Sequence, residues 1–168
     1  MEYLLLIIEY FWIKGVKSFL WTWGLPLITG FLIYCKADYS IYNSNAPSFH
    51  SNLISVLGIL IGFTISTLTM LLTVNNADIE KAKLELLDKQ LFSKQISLFD
   101  TVVISLAYII IIQGLLLIVN FIYPVFIAVA SLKGKIFFSI NMCFMIHIIL
   151  VLMRSVLDFY FILTKKNK

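Results

Sequence analysis

Cysteine, histidine and charged residues are all scarce in this sequence. The two cysteines, Cys35 and Cys143, lie in apolar stretches, so spaced thiols provide neither a disulfide framework nor a zinc site. The two histidines, His50 and His147, are far apart in the chain. The sequence also contains no glycine-rich phosphate loop, nucleophile elbow or HExxH motif. These absences argue against an enzyme, and we expect neither a metal nor a cofactor.

The charge content is also too low for a water-soluble domain. Charged residues make up 13% of the 168 residues and apolar residues 61%, against about 25% and 45–50% in soluble domains. A single domain of this size leaves about a third of its unfolded surface in contact with solvent, so part of that solvent must be lipid. The formal charge of +4 does not indicate direct binding of nucleic acid, because the basic residues lie between apolar blocks and not in one stripe.

Four apolar stretches are long enough to cross a bilayer, which takes about 20 helical residues. They lie at about 16–35, 52–74, 101–123 and 136–159. We therefore predict an all-α polytopic membrane protein with a single transmembrane domain over residues 1–168. Asp100 resembles the N-cap of the third span, and residues 131–135, with Gly134 as hinge, predict a short turn before the fourth.

Basic residues flank these spans unequally. With the N-terminus inside, ten lysine and arginine residues lie on the cytoplasmic side, and three lie outside, namely Lys36, Lys133 and Lys135. Because positive residues accumulate on the cytoplasmic side of membrane proteins, the pattern predicts a multi-pass protein with both termini in the cytoplasm.

The segments on either side of the first span have their own patterns. Residues 1–13 are apolar but reach only about 20 Å as a helix, which predicts an interfacial or partner-covered helix that does not cross the bilayer. Pro26 removes a backbone bond beside the carbonyl of Thr22, so we expect a kink. Residues 36–51 are rich in turn formers and predict a small extracytoplasmic loop.

The segment between the second and third spans has an amphipathic pattern. Leucines fall on one helical stripe and charged residues on another, with Glu85 and Lys89 at the favourable i, i+4 spacing. This predicts a cytoplasmic helix over about 76–99, which is either a connector lying on the headgroups or a docking surface for a partner protein or a neighbouring protomer. The candidate docking residues, including basic ones towards the C-terminus, are Leu84, Leu87, Leu91, Leu98, Arg154, Lys165 and Lys166.

Small and hydroxyl residues recur at every third or fourth position of the second span. Such a face allows close packing of helices, but it also tolerates water, so a pore lining is the alternative interpretation. The residues of this row, called the α2 row below, are Ser55, Gly58, Gly62, Ser66, Thr69 and Thr73.

Two polar side chains fall near the middle of the bilayer. Gln113 lies about 18 Å from the inner edge of its span and His147 about 16 Å from the outer edge of its own. We expect them to meet each other, or the hydroxyls of Thr64 and Ser66, in a midplane polar layer. His147 is either a packing residue with satisfied hydrogen bonds or a group that gates protons or ions, since histidine changes charge near neutral pH. Nearer the cytoplasm, Arg154 is placed to pair with Asp158.

Several of these features together are similar to the small four-helix bacterial membrane proteins of phage exclusion and defence. The likeness covers about residues 50–164 and is closer to the membrane subunit of the Kiwa defence system than to the RexB exclusion protein of phage lambda. It rests on a short N-terminal segment, a charged cytoplasmic helix, the run Leu68-Thr69-Met70-Leu71-Leu72 and the run Met145-Ile146-His147-Ile148-Ile149-Leu150-Val151.

The two resemblances imply different functions. A Kiwa-like protein is implied to be a homo-oligomer, with a tetramer favoured, that senses infection at the bacterial inner membrane and works with a cytoplasmic DNA-binding partner. A RexB-like protein is implied to conduct ions and depolarise the infected cell. The longer N-terminal helix and longer second loop of this chain depart from RexB, which favours the first function, with the ion channel as the alternative. No catalytic residue carries over from either.

Overall fold

The computed structural model describes residues 2–74, 76–91 and 94–164, which form five helices and one β-hairpin. The strands β1 and β2 pair antiparallel, with a shift of register between Leu86 and Gln90. The helices are α1 (Glu2–Lys36), α2 (Tyr39–Thr73), α3 (Ala77–Leu84), α4 (Leu98–Phe126) and α5 (Leu132–Thr164), and the strands are β1 (Leu86–Leu91) and β2 (Lys94–Ser97).

Three of the described helices are long and apolar enough to cross a membrane, as expected of a membrane-embedded protein. They are α2, α4 and the Leu132–Ile162 part of α5, and they contain the spans predicted at 52–74, 101–123 and 136–159. The span predicted at 16–35 lies within α1, which is not one of these three.

The helices pack around α4 and α5. α1 packs mainly on α5, and α2 packs mainly on α4, so the core lies where α4 and α5 meet around Ile109 and Ile148, both fully buried. We call the end with α3 and the strands the hairpin end, and the opposite end the loop end. At the loop end, the Tyr42 hydroxyl donates to the carbonyl of Val129 (2.8 Å), and the Lys135 ammonium donates to the carbonyl of Ala37 (2.7 Å).

The N-terminal segment is not a separate interfacial helix. The structure has one continuous helix, α1, in place of a short helix over 1–13 and a span over 16–35. A single glycine such as Gly15 costs a helix only about 1 kcal/mol, and packing on both sides of it outweighs this cost. Tyr10 is buried and stacks on Tyr108 of α4, with ring centroids 3.9 Å apart.

The predicted loop over 36–51 is also wrong, because α2 already begins at Tyr39. Asp38 caps the helix by accepting a hydrogen bond from the backbone N–H of Ser40 (2.7 Å). The polar side chains that suggested a loop bond to their own helix, since Ser44 and Asn45 both donate to the carbonyl of Ile41. Turn formers are therefore accommodated inside a capped helix.

The predicted helix over 76–99 is interrupted by the hairpin. Only Ala77–Leu84 is helical, and the chain then forms β1 and β2. Ser97 is extended and forms a capping box with Asp100, because each side chain accepts from the backbone N–H of the other. An N-cap residue has non-helical dihedral angles, so no helix can run through Ser97. The N-cap of α4 is therefore Ser97 and not Asp100, and the turn after α4 covers 127–131 instead of 131–135.

Candidate functional site

His147 lies where α1, α4 and α5 meet, and it is completely buried. Its Nδ1 lies 2.7 Å from the carbonyl oxygen of Thr22 in α1, and its Nε2 lies 2.9 Å from the hydroxyl oxygen of Tyr108 in α4. A carbonyl oxygen can only accept, so Nδ1 carries a proton and donates to Thr22. The second hydrogen bond joins Nε2 to the hydroxyl of Tyr108, so both ring nitrogens of His147 are bonded.

A proline explains why the carbonyl of Thr22 is open to His147. In a regular helix this carbonyl would accept from the backbone N–H four residues later, which is the position of Pro26. Proline has no N–H, and the imidazole of His147 supplies the missing donor. The sequence pointed to a disturbance at this carbonyl, but it could not show which side chain would bond to it.

Aromatic rings enclose the imidazole on the side of α1. The ring of Trp23 stacks on His147 with centroids 4.1 Å apart, and Tyr108 meets the imidazole edge-on at 5.9 Å. Tyr10 covers the other side of Tyr108. The N-terminal half of α1 therefore closes over His147, and no water-filled route to the imidazole is needed to satisfy its hydrogen bonds.

Gln113 forms a separate polar contact with α2. Its Nε2 donates to the hydroxyl of Thr64 (3.3 Å), which itself donates to the carbonyl of Leu60 (2.7 Å). The side-chain oxygen of Gln113 has no hydrogen-bond partner among the described residues, although the residue is fully buried. Gln113 and His147 thus lie near the midpoints of α4 and α5 but bond to different partners. Ser66 is exposed and bonds to the carbonyl of Gly62.

A third buried polar group lies nearer the loop end and was not predicted. The side-chain amide of Asn120 donates to the side-chain oxygen of Asn141 (2.7 Å). The backbone carbonyl oxygen of Asn120 lies 3.0 Å from Nε2 of His50. Pro124 leaves this carbonyl without a helical donor, as Pro26 does at Thr22. In the sequence, the proline four residues after Asn120 was a signal that the backbone carbonyl of Asn120 lacks its helical donor. His50 could not be recognised as the replacement donor because residues 36–51 were predicted to form a loop.

The six residues of the α2 row are all exposed in the chain. The buried side of α2 is instead formed by Leu53, Leu57, Thr64 and Leu71. Hydroxyls of the row bond to their own helix, with Ser55 donating to Ser51 and Thr73 donating to Thr69. Within one chain, therefore, the row packs against none of the described helices. It forms an exposed surface of small residues, in which the hydroxyls of Ser55 and Thr73 bond to carbonyls of their own helix.

The predicted docking residues do not form one stripe, because the hairpin separates them. Leu84 ends α3 and is 79% exposed, whereas Leu87 in β1 is half-buried, and Leu98 packs against the core. Arg154 is exposed on α5. The side chain of Leu91, together with Lys165 and Lys166, lies outside the described residues.

These buried polar groups connect neighbouring helices. In the part of the chain that the structure describes, no three His, Cys, Asp or Glu side chains come together in a way that could hold a metal ion. Cys35 is exposed, Cys143 is buried, and both are free thiols. The hydrogen bonds of His147, Gln113 and Asn120 join α1, α2, α4 and α5 to one another.

Comparison with known proteins gives no further assignment. No protein-family model, curated protein or solved structure matches this chain.

Proposed function

We propose that the protein is the membrane-embedded subunit of a bacterial anti-phage defence complex, which senses infection at the inner membrane and anchors a cytoplasmic, DNA-binding partner. The observation that carries this proposal is the apolar surface of the segment between α2 and α4. Leu84 is 79% exposed and Leu86 is 55% exposed. Both lie outside the helices that are long enough to cross a membrane, where an exposed apolar side chain can contact a partner protein.

The distribution of basic residues supports a cytoplasmic position for this segment. Lys81 and Lys83 lie on α3 at the hairpin end, and Lys36, Lys133 and Lys135 lie at the loop end. By sequence, ten basic residues flank the spans on the side of this segment and three on the other side, so the hairpin end faces the cytoplasm in the proposed topology. In this topology α1 crosses as a fourth span, and both termini are cytoplasmic.

The hairpin offers a second element for docking. Its two strands pair only with each other among the described residues, so each has an outer edge with unpaired backbone groups. A sheet edge of this kind accepts a strand from a partner protein. Leu86 at the start of β1 then adds an apolar contact beside the backbone bonds.

Co-purification tests the docking surface. The double variant Leu84→Ser, Leu86→Ser should lower recovery of a co-expressed cytoplasmic partner at least about tenfold, since two exposed apolar anchors are removed, and should abolish protection against phage. Val125→Ser is the matched control, because Val125 is 78% exposed at the loop end. Full binding and full protection in the double variant would refute the proposal.

An ion-conducting homo-oligomer is the second candidate, and the exposed α2 row favours it. α2 is the least buried of the three spans, and its row presents small residues to which a second copy can pack closely. A tetramer that brings four α2 helices together would surround a central path with the hydroxyls of Ser66, Thr69 and Thr73.

Planar-bilayer recording separates this candidate from the first. Ser66→Leu should reduce the current because it places an apolar side chain on the path. Thr67→Leu is the matched control, since Thr67 makes the same bond to its own helix, at Phe63, but lies outside the row. A chain without current at any voltage or pH, or with equal loss in both variants, contradicts the channel.

A further inference from the structure

A crevice of about 550 Å³ opens between α1 and α5. Gly30 lies on its wall where the two helices come close, because a Cβ added there would lie only 3.0 Å from the Cβ of Cys143. The crevice is apolar, and its principal lining residues are Trp23, Leu27, Tyr34, Ile136, Ile140 and Phe144.

The length of the crevice matches one leaflet of a bilayer. Trp23 lines its deep end, beside the imidazole of His147, and Tyr34 lines its other end near the loop end. These residues are eleven positions apart on α1, which is about 16 Å of helix. The apolar core of a bilayer is about 30 Å thick, so in the topology proposed above, on which this inference rests, the crevice extends from the midplane to the headgroup level of one leaflet.

The headgroup end of the crevice carries positive charge. Lys135 is buried there, with its ammonium 5.7 Å from the ring centroid of Tyr34 and bonded to the carbonyl of Ala37. Lys36 and Lys133 are exposed at the same end. Across residues 34–51 and 121–140 the sequence has one acidic residue, Asp38, which interacts with Lys135, so this end keeps a net positive charge.

We infer that the α1–α5 crevice binds one anionic phospholipid, with an acyl chain between the helices and the phosphate at Lys36, Lys133 and Lys135. An apolar crevice alone does not select a lipid, because every tail in the bilayer is equally apolar. Selection comes from the lysines, which attract an anionic headgroup. The lipid then fills the space beside Trp23 and supports the wall that covers His147.

Native mass spectrometry of the full chain with equal amounts of phosphatidylglycerol and phosphatidylcholine tests this site. One phosphatidylglycerol should remain bound per chain, in preference to phosphatidylcholine. Lys36→Gln and Lys133→Gln should each weaken its retention about fivefold. Ile140→Trp should abolish it by filling the crevice, whereas Ile149→Trp, an equal enlargement of an exposed residue on the same helix outside the crevice, should not.

Equal retention of the two lipids would overturn the inference, as would full retention in Ile140→Trp or equal loss in Ile149→Trp. A chain that retains neither lipid would also overturn it, whatever its oligomeric state.

Fluorescence quenching locates the lipid independently. In the Trp12→Phe, Trp21→Phe background Trp23 is the sole tryptophan, and both replaced residues are exposed. In vesicles, brominated phosphatidylglycerol should quench Trp23 more than the same fraction of brominated phosphatidylcholine, and the difference should vanish after Lys36→Gln and Lys133→Gln. Equal quenching by the two lipids before substitution would refute the inference.

Discussion

His147 donates from Nδ1 to the carbonyl oxygen of Thr22 at 2.7 Å, and this is the carbonyl that Pro26 leaves without a helical donor. The second histidine of the chain has the same relationship to another helix, since His50 bonds to the carbonyl that Pro124 leaves open at Asn120. Each histidine therefore satisfies a backbone group that would otherwise be unpaired in an apolar environment, where such groups are costly.

The first prediction is that Pro26 and His147 are energetically coupled. His147→Leu removes the donor to Thr22, so it should destabilise the wild-type chain. In a Pro26→Ala background the carbonyl of Thr22 accepts from the new backbone N–H, and the same substitution should cost about 1 kcal/mol less. The measurement is the free energy of unfolding in mixed micelles of detergent and sodium dodecyl sulfate, for the wild type, the two single variants and the double variant.

The control for this cycle combines His147→Leu with Pro124→Ala, which lies in a different contact. Their effects should add. Equal costs of His147→Leu with and without Pro26 would show that the bond to Thr22 contributes nothing to stability.

The second prediction concerns His50 and Pro124. His50→Leu should cost about 1 kcal/mol less in a Pro124→Ala background than in the wild type, because the carbonyl of Asn120 regains a helical donor. His50 also meets Tyr123 edge-on at 5.1 Å, and this contact is lost equally in both backgrounds. The same unfolding measurement applies, and additive effects would contradict the prediction.

Long apolar segments made most of the fold predictable. α4 and α5 differ from the spans predicted at 101–123 and 136–159 mainly by additional turns at their ends, because hydrophobic length is a local property of the sequence. The hairpin was missed because the leucines of 84–98 fit a helical stripe. The capping box of Ser97 and Asp100 instead starts α4 at Leu98 and keeps Ser97 extended. The start of α2 was missed because the many turn-forming residues of 36–51 predicted a loop, although Asp38 can also act as a helix N-cap.

The candidate site was less predictable because its partners come from different helices. The depths of Gln113 and His147 suggested that they meet each other or the hydroxyls of Thr64 and Ser66. Gln113 does contact Thr64, whereas His147 and Ser66 bond to other groups. The partners of His147 lie on α1 and α4, 125 and 39 residues away, and no periodicity connects them. The positions of Pro26 and Pro124 did indicate the acceptors, since each proline leaves the backbone carbonyl four residues earlier without its helical donor.

The third prediction contrasts two buried amides. Gln113→Leu should leave stability unchanged or raise it by about 1 kcal/mol, because it removes an unpaired buried oxygen, and Thr64 still donates to Leu60. Asn120→Leu also removes an unpaired buried oxygen, but it takes away the donor to the side-chain oxygen of Asn141 and should therefore destabilise by about 1–3 kcal/mol. The free energy of unfolding of each variant tests this prediction. A greater loss of stability in Gln113→Leu than in Asn120→Leu would contradict the assigned hydrogen bonds.

The fourth prediction concerns the close approach of α1 and α5. Gly30→Ala should destabilise by about 1–3 kcal/mol, because the new Cβ would lie 3.0 Å from the Cβ of Cys143 and 3.1 Å from the carbonyl oxygen of Ser139. Gly58→Ala is the matched control. Nothing lies within 4 Å of a Cβ at Gly58, so helix propensity should raise stability by about 0.5 kcal/mol. Equal effects of the two substitutions would show that Gly30 does not set the helix spacing.

The fifth prediction is a pH dependence at the loop end, where Asp38 caps α2. Hydrogen bonds from the side chain and backbone of Ser40 are the main cause that lowers the pKa of Asp38, with a smaller contribution from the backbone of Ile41. A carboxyl whose pKa is lower in the folded state contributes stability that is complete above its unfolded value, about 4, and is lost as the pH falls through the folded value. Asp38→Asn keeps a capping oxygen but cannot titrate. The stability advantage of the wild type over Asp38→Asn should therefore shrink as the pH falls from 6 to 3 in unfolding titrations, and a constant difference over this range would show that the carboxylate does not cap the helix.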